Sequence, residues 1–168
     1  ALAASVGGLT TGCGARGRNL KFSSLDQVLT ELALLEANAP VALQQPWSLY
    51  KVLQHASQSM EYSMTGYPVM DPPSRQTLAR LVFNYFRKQG YMYHDLGAVV
   101  PGAPEIPDDG PLEDGYLRLR NAMSDFRNFT GELMPHFSYG QLTREEWEIA
   151  HSMHCADHFS CMIYTVAS

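Results

Sequence analysis

Apolar residues recur every three to four positions along five stretches of this chain, and no stretch alternates in the way a half-buried strand does. The first runs from about Ser24 to Ala37, with Leu25, Val28, Leu29, Leu32 and Leu35 as its stripe and Ser24 and Gln27 as a capping box. The second follows Pro46-Trp-Ser48, takes Ser48 as N-cap, turns Leu49, Val52, Leu53, Ala56 and Met60 inward, and stops at Gly66-Tyr-Pro68. The third opens after Pro72-Pro-Ser74 and presents Leu78, Leu81, Val82, Tyr85 and Phe86 until Gly90 ends it. The fourth, about Leu112 to Asn128, offers Leu117, Leu119, Ala122, Met123 and Phe126. The last begins at the capping box Thr143-Arg-Glu-Glu146 and runs towards Thr165. Between the third and fourth lies a stretch from about Tyr91 to Pro111, rich in Gly and Pro and without period. A connection that long in a compact domain is often a functional wall or lid. The pattern predicts an all-α domain, a helical bundle with long connecting loops.

One stripe departs from the rest. On the last helix Trp147, His151, His154, His158, Cys161 and Thr165 fall at three- and four-residue steps, where the seam facing the core belongs, yet half of them are polar. Burying an unpaired imidazole there costs about 1–3 kcal/mol unless something satisfies it. His154 and His158 stand one turn apart on one face and suit a shared divalent ion, given a further ligand. His55, flanked by Val52 and Ala56 on the second helix, has the phase to supply it. Three imidazoles leave one position of a tetrahedral site open, the composition of catalytic zinc sites, although nickel, iron or manganese also fit. The ordinary alternative is a pair of unremarkable histidines at helical spacing.

The residues around this trio are assigned with less specificity. His151 is either a second donor behind the ligands or a solvated residue. Cys161 shares the face as a candidate ligand or a packing residue, and Tyr62, two turns beyond His55, is placed to reach a bound ligand. Asp157 turns about a hundred degrees from His158 and reads as a surface carboxylate. His94 and His136 fall in loops and receive no role. Cys155, Ala156 and Asp157 separate the histidine pair, so the glutamate of the His-Glu-x-x-His peptidase pattern is missing and peptidase chemistry is disfavoured. No catalytic residue is named.

Composition changes this picture in three ways. With 45% hydrophobic and 17% charged residues, the 168-residue chain suits one globular domain rather than a disordered one. A net charge of −5 gives no support to nucleic-acid binding, which usually shows a basic stripe. Three cysteines, Cys13, Cys155 and Cys161, are too few for a disulfide framework. Residues 1–19 read separately from the bundle of residues 20–168. Ala1–Thr11 is uncharged, small and apolar like the end of an export signal of the Tat kind, Leu9-Thr-Thr-Gly-Cys13 resembles a lipobox with its leucine one place early, and Gly14–Arg18 would be a tether. The expectation is an exported protein, periplasmic or membrane-anchored facing the periplasm, with Cys13 as a candidate lipidation site. Its partner is a small-molecule substrate, and a homodimer is one candidate assembly.

Four motifs in order, Phe22-Ser-Ser-Leu-Asp26, Trp47-Ser-Leu-Tyr-Lys-Val-Leu-Gln-His55, Ser63-Met-Thr-Gly-Tyr-Pro68 and His136-Phe-Ser-Tyr-Gly-Gln-Leu-Thr-Arg-Glu-Glu-Trp147, precede the His154 and His158 pair. Together they resemble the DinB/YfiT-like superfamily over about Leu20 to Met162, in an exported branch known as domain of unknown function 1569. The resemblance implies a four-helix bundle with a metal held by His55, His154 and His158, zinc or nickel being the expected ions. It also implies kinship with enzymes that use a low-molecular-weight thiol. The sequence departs from the family ending, which carries another histidine before the last ligand and often His-Arg-Gly-Gln after it. The expected function is a metal-dependent enzyme, hydrolase or thiol-dependent transferase, that activates water or a bound nucleophile. The alternative is a non-catalytic bundle that binds a metal or ligand.

Overall fold

The computed structural model describes residues 17–38 and 42–164. Five helices form in the expected order: α1 (Leu25–Asn38), α2 (Leu49–Thr65), α3 (Pro73–Gln89), α4 (Leu112–Asn128) and α5 (Arg144–Ser160). The all-α class therefore holds, with one addition too short to show a period. Strands β1 (Ala42–Leu43) and β2 (Met162–Ile163) pair antiparallel, Ala42 opposite Ile163 and Leu43 opposite Met162. The last helix consequently ends at Ser160 rather than running on towards Thr165, which lies outside the described residues.

Local chemistry explains most boundaries. Ser48 caps α2 by accepting from the Lys51 amide, and the Thr143–Glu146 box closes α5 reciprocally. Gly90 ends α3 at φ +71, a left-handed conformation that costs glycine nothing. The start of α1 differs from expectation. Gln27 reaches the Ser23 amide (2.7 Å) and hydroxyl (3.2 Å) rather than forming a box with Ser24.

Helices α1, α2, α4 and α5 pack on one another around a core that includes Leu32, Leu53, Met60, Leu119, Met123, Trp147 and Phe159. The expected stripe of α2 is buried throughout. So are Gln54, Ser57, Gln58 and Ser59, because α2 lies between α4 and α5 and has little face left for water. Its hydroxyls are satisfied locally, Ser57 by the Leu53 carbonyl and Ser63 by the Met60 carbonyl. On α4 the stripe holds except for Leu117, which is exposed.

The phase of α3 is a correction. Leu78 and Leu81 are 65% and 64% exposed, Val82 and Tyr85 are exposed too, and Phe83 is the helix's buried side chain. Of the expected stripe Phe86 alone packs against the core, and the inward face is otherwise Gln76, Arg80 and Phe83, with Arg87 at its edge. Phe83 stacks on Tyr139, Gln76 donates to the Phe137 carbonyl, and Arg80 and Arg87 reach the buried Glu146 carboxylate at 2.7 and 3.0 Å. One aromatic anchor and a shared ion pair hold α3 against the 133–143 loop and the start of α5.

Candidate metal centre

Three elements converge on one point. α2 brings His55, α5 brings His154 and His158, and the long loop after α3 brings His94. One ligand atom from each of these four side chains lies within 4.8 Å of the others. His55 Nε2 is 3.2 Å from His154 Nε2, and His94 Nε2 is 3.2 Å from His158 Nε2. A tetrahedral ion with metal–nitrogen bonds of about 2.0–2.1 Å holds its ligand atoms about 3.3 Å apart, so both spacings suit ligands of one ion.

The trio singled out by helical phase does meet, and His94 joins it from the loop. The surface role expected of Asp157 is wrong. Its side chain is 3% exposed, and Oδ2 accepts from both the His94 amide (3.0 Å) and His94 Nδ1 (2.6 Å). Loop 91–111 covers that flank of α5, with Met92, Leu96 and Val100 buried against the domain, so a residue turned away from His158 still ends inside.

Hydrogen bonding fixes the tautomers. The Asp157 carboxylate only accepts, so His94 carries a proton on Nδ1, and the neutral ring then leaves a lone pair on Nε2. Gln45 donates its amide to the His158 carbonyl (3.1 Å), which turns Oε1 towards His158 Nδ1 (2.9 Å) and protonates that nitrogen. His158 Nε2 then also carries a lone pair. Two lone pairs face each other at 3.2 Å, an arrangement that is repulsive without a cation to share. The small sheet serves this geometry. Gln45 follows β1, whose register on β2 is continued by the Gln44 amide donating to the Cys161 carbonyl.

The surroundings keep the imidazoles of His55, His154 and His158 neutral. Burial pulls His55 down to about 4, with His94 adding to the effect. Burial, then His94 and His55, pulls His154 and His158 well below the usual histidine range. Trp47 adds an apolar wall, edge-on to His55 (4.9 Å between centroids) and stacked on His158 (5.9 Å). His55 Nδ1 is buried without a hydrogen-bond partner among the described residues. Neutral imidazoles are the form a metal binds, and outer partners such as Asp157 and Gln45 orient ligands and raise their basicity.

Two cavities reach this point, of about 180 and 330 Å³, and they share His55, Val99 and Val100. The smaller is lined by His55, His94 and His154 on one side and by His136, Phe137, Tyr139 and Trp147 on the other. The larger is lined by Trp47, Lys51, Gln58 and residues 103–106 of the loop. The long loop is thus a wall between them, as its composition suggested.

The other candidate residues fall outside the cluster. His151 is 3% exposed, which removes the solvated alternative. It stacks on Trp147 at 4.9 Å and edges Phe126 rather than supporting a member of the quartet. Tyr62 packs on Tyr67 and does not line either cavity, while neighbouring Glu61 pairs with Arg118. Cys161 is fully buried beyond the end of α5 and is not one of the four clustered residues. Cys155 is buried, and burial pushes its thiol up to about 12, so it supplies no nucleophile. Cys13 lies outside the described residues.

The chain matches the family model described as protein of unknown function (DUF1569) over residues 14–165. The chain belongs to this family. The match spans all five helices and every member of the histidine cluster. No curated protein and no solved structure matches the chain. This DUF1569 protein therefore takes its functional interpretation from its own geometry. Among the described residues no helix is long and apolar enough to cross a membrane.

Proposed function

We propose that this DUF1569 protein is a metal-dependent enzyme, built on a DinB-like four-helix bundle of α1, α2, α4 and α5, that holds one divalent ion on His55, His94, His154 and His158. The observation that carries the proposal is the convergence of four imidazole nitrogens within 4.8 Å of one another, with Asp157 and Gln45 holding the outer nitrogens of His94 and His158 so that their Nε2 atoms meet at 3.2 Å. A bound ion there supplies Lewis acidity and a nucleophile at neutral pH. The chain's own residues hold and orient it. Asp157 places the loop histidine, Gln45 places the helix histidine, and Trp47 and Val100 limit water at the centre. The smaller cavity has no carboxylate in its lining to act as a peptidase base, and the one in the lining of the larger is Glu105 of the loop. The chemistry proposed is hydrolysis of, or thiol-dependent transfer to, a small organic substrate, and zinc or nickel is the ion favoured by an all-imidazole set.

Four protein ligands also match the count in structural zinc sites, which favours a second reading: a bundle that binds metal without turnover. The cavity against three of the four histidines favours catalysis. Elemental analysis of protein purified without added metal should give close to one equivalent of zinc or nickel. Cobalt substitution then separates the two readings. An absorption spectrum that changes on adding a small anionic ligand shows a coordination position open to substrate, whereas an invariant four-coordinate spectrum rejects the catalytic reading. Absence of metal, with none bound on reconstitution, rejects both. An exported location is part of the same proposal, and fractionation of cells that express the natural protein tests it.

A further inference from the structure

The smaller cavity continues past the histidine quartet into a second polar group that the metal does not use. His136 lies in a tight turn, where its amide and carbonyl pair with the carbonyl and amide of Gly140 (2.9 and 3.0 Å). Its Nδ1 accepts from the Ser138 and Tyr139 amides, at 3.0 and 3.1 Å. Two donors on Nδ1 put the ring proton on Nε2, which has no hydrogen-bond partner among the described residues. Next to it, Trp147 Nε1 and His151 Nε2 are buried and also unpartnered among the described residues. The Trp147 ring is 5.3 Å from that of His136 and 4.9 Å from that of His151. Burial holds His136 and His151 down at about 3, so neither brings a charge. No Lys, Arg, Asp or Glu lines the cavity, and Met92, Val99, Val100 and Phe137 supply apolar wall.

We infer that this cavity is the pocket for the body of the substrate: a compact, uncharged group the size of a single ring, carrying one hydrogen-bond acceptor that His136 Nε2–H recognises while the substrate's reacting end lies at the histidine quartet. The volume, about 180 Å³, is close to that of cavities that admit one benzene-sized ring. Neutral walls exclude a charged body, because an ion there would lose its hydration with no partner. His136 is in this account a specificity residue that touches the substrate away from the reacting atoms, and the inference rests on the metal centre proposed above.

Small hydroxamates test it, since their head groups bind divalent metal and their bodies can be varied. With zinc-loaded protein, benzohydroxamate should bind at least about tenfold more tightly than acetohydroxamate, because a ring is buried in one case and a methyl in the other. Nicotino- or isonicotinohydroxamate, whose ring nitrogen accepts, should bind about fivefold more tightly again through the added hydrogen bond. His136→Asn keeps an acceptor for the two turn amides and deletes Nε2–H. It should erase the preference for the ring nitrogen while zinc affinity and the benzo-over-aceto ratio stay as they were. Equal binding of aceto- and benzohydroxamate overturns the pocket, and equal binding of all three ring compounds to unaltered protein overturns the role of His136, whether or not the variant folds. Zinc titration without hydroxamate is read separately. Failure there rejects the metal centre and this inference with it, whereas normal zinc binding with flat hydroxamate affinities rejects the inference alone.

Discussion

Replacing Asp157 by Asn removes one charge from beneath the proposed metal centre and changes little else in shape. Asp157 Oδ2 accepts two bonds from a single residue, the His94 amide and Nδ1, in a setting where the carboxylate is 3% exposed. An Asn oxygen at the same point keeps both bonds in neutral form. The negative charge that makes His94 a stronger donor to a cation is then gone, and a charge-assisted bond is roughly twice as strong as a neutral one. Outer partners of this kind typically hold 10–100-fold in metal affinity, so Asp157→Asn should weaken zinc binding by about 1.4–2.7 kcal/mol. Asp157→Ala also releases the loop amide and should weaken it further. Gln45→Ala removes a neutral bond of 2.9 Å behind His158 and should fall at the tenfold end.

The assay is competition with a chelating dye at neutral pH, with thermal unfolding of each metal-free variant as the folding control. The expected order of affinity is parent, then Gln45→Ala, then Asp157→Asn, then Asp157→Ala. An Asp157→Asn protein that folds and binds zinc within twofold of the parent would refute the coupling of Asp157 to the metal through His94. If His94→Ala also binds normally, His94 is not a ligand and the centre reverts to three histidines.

Removing any helix-borne member of the cluster, as in His55→Ala, His154→Ala or His158→Ala, should abolish stoichiometric metal, scored by elemental analysis after dialysis. On α3, Leu78→Lys and Leu81→Lys should each change unfolding free energy by less than about 0.5 kcal/mol, whereas Phe83→Ala should cost about 3–5 kcal/mol. Urea unfolding checks this, and the reverse order would restore the apolar stripe as the buried face. Acid should destabilise the metal-free protein. His55 is held at about 4, and His136 and His151 at about 3, all below the unfolded value near 6.5, so the unfolded chain binds more protons as pH falls. Their contribution is complete above about pH 6.5 and falls as pH drops from there, by up to about 1.4 kcal/mol per pH unit for each, until the folded-state values are passed. Urea midpoints that stay flat from pH 7 to 5 would contradict this. Cys155 should resist alkylation in native protein and react once the chain is unfolded, as peptide mass mapping would show.

What could be read from sequence follows from what a period encodes. Helical phase put His55, His154 and His158 towards the interior because their neighbours Val52, Ala56 and Trp147 left no other choice of face, and all three lie in the cluster. Where two faces of a helix can both be argued, counting apolar residues misleads. On α3 the richer stripe is the exposed one, and the helix docks through Phe83 and the ion pairs of Arg80 and Arg87 with Glu146. A two-residue strand pair carries no alternation to detect, yet it positions Gln45. His94 was out of reach for a different reason. Loop 91–111 has no period, and its partners Asp157 and His158 are 63 and 64 residues away in the chain, so only tertiary packing brings them together.

That last contact has an energetic consequence of its own. The fourth histidine belongs to a segment held in place largely by the bond to Asp157 and by Met92, Leu96 and Val100. An ion bound to all four histidines would tie this loop to α2 and α5, and any free energy it gains from His94 is gained only when the loop is seated. Metal binding and closure of the wall between the two cavities are therefore one equilibrium under the proposed function. Zinc should slow amide hydrogen exchange across residues 91–100 more than across α1, which has no ligand to offer, and equal protection of both segments would separate the loop from the metal.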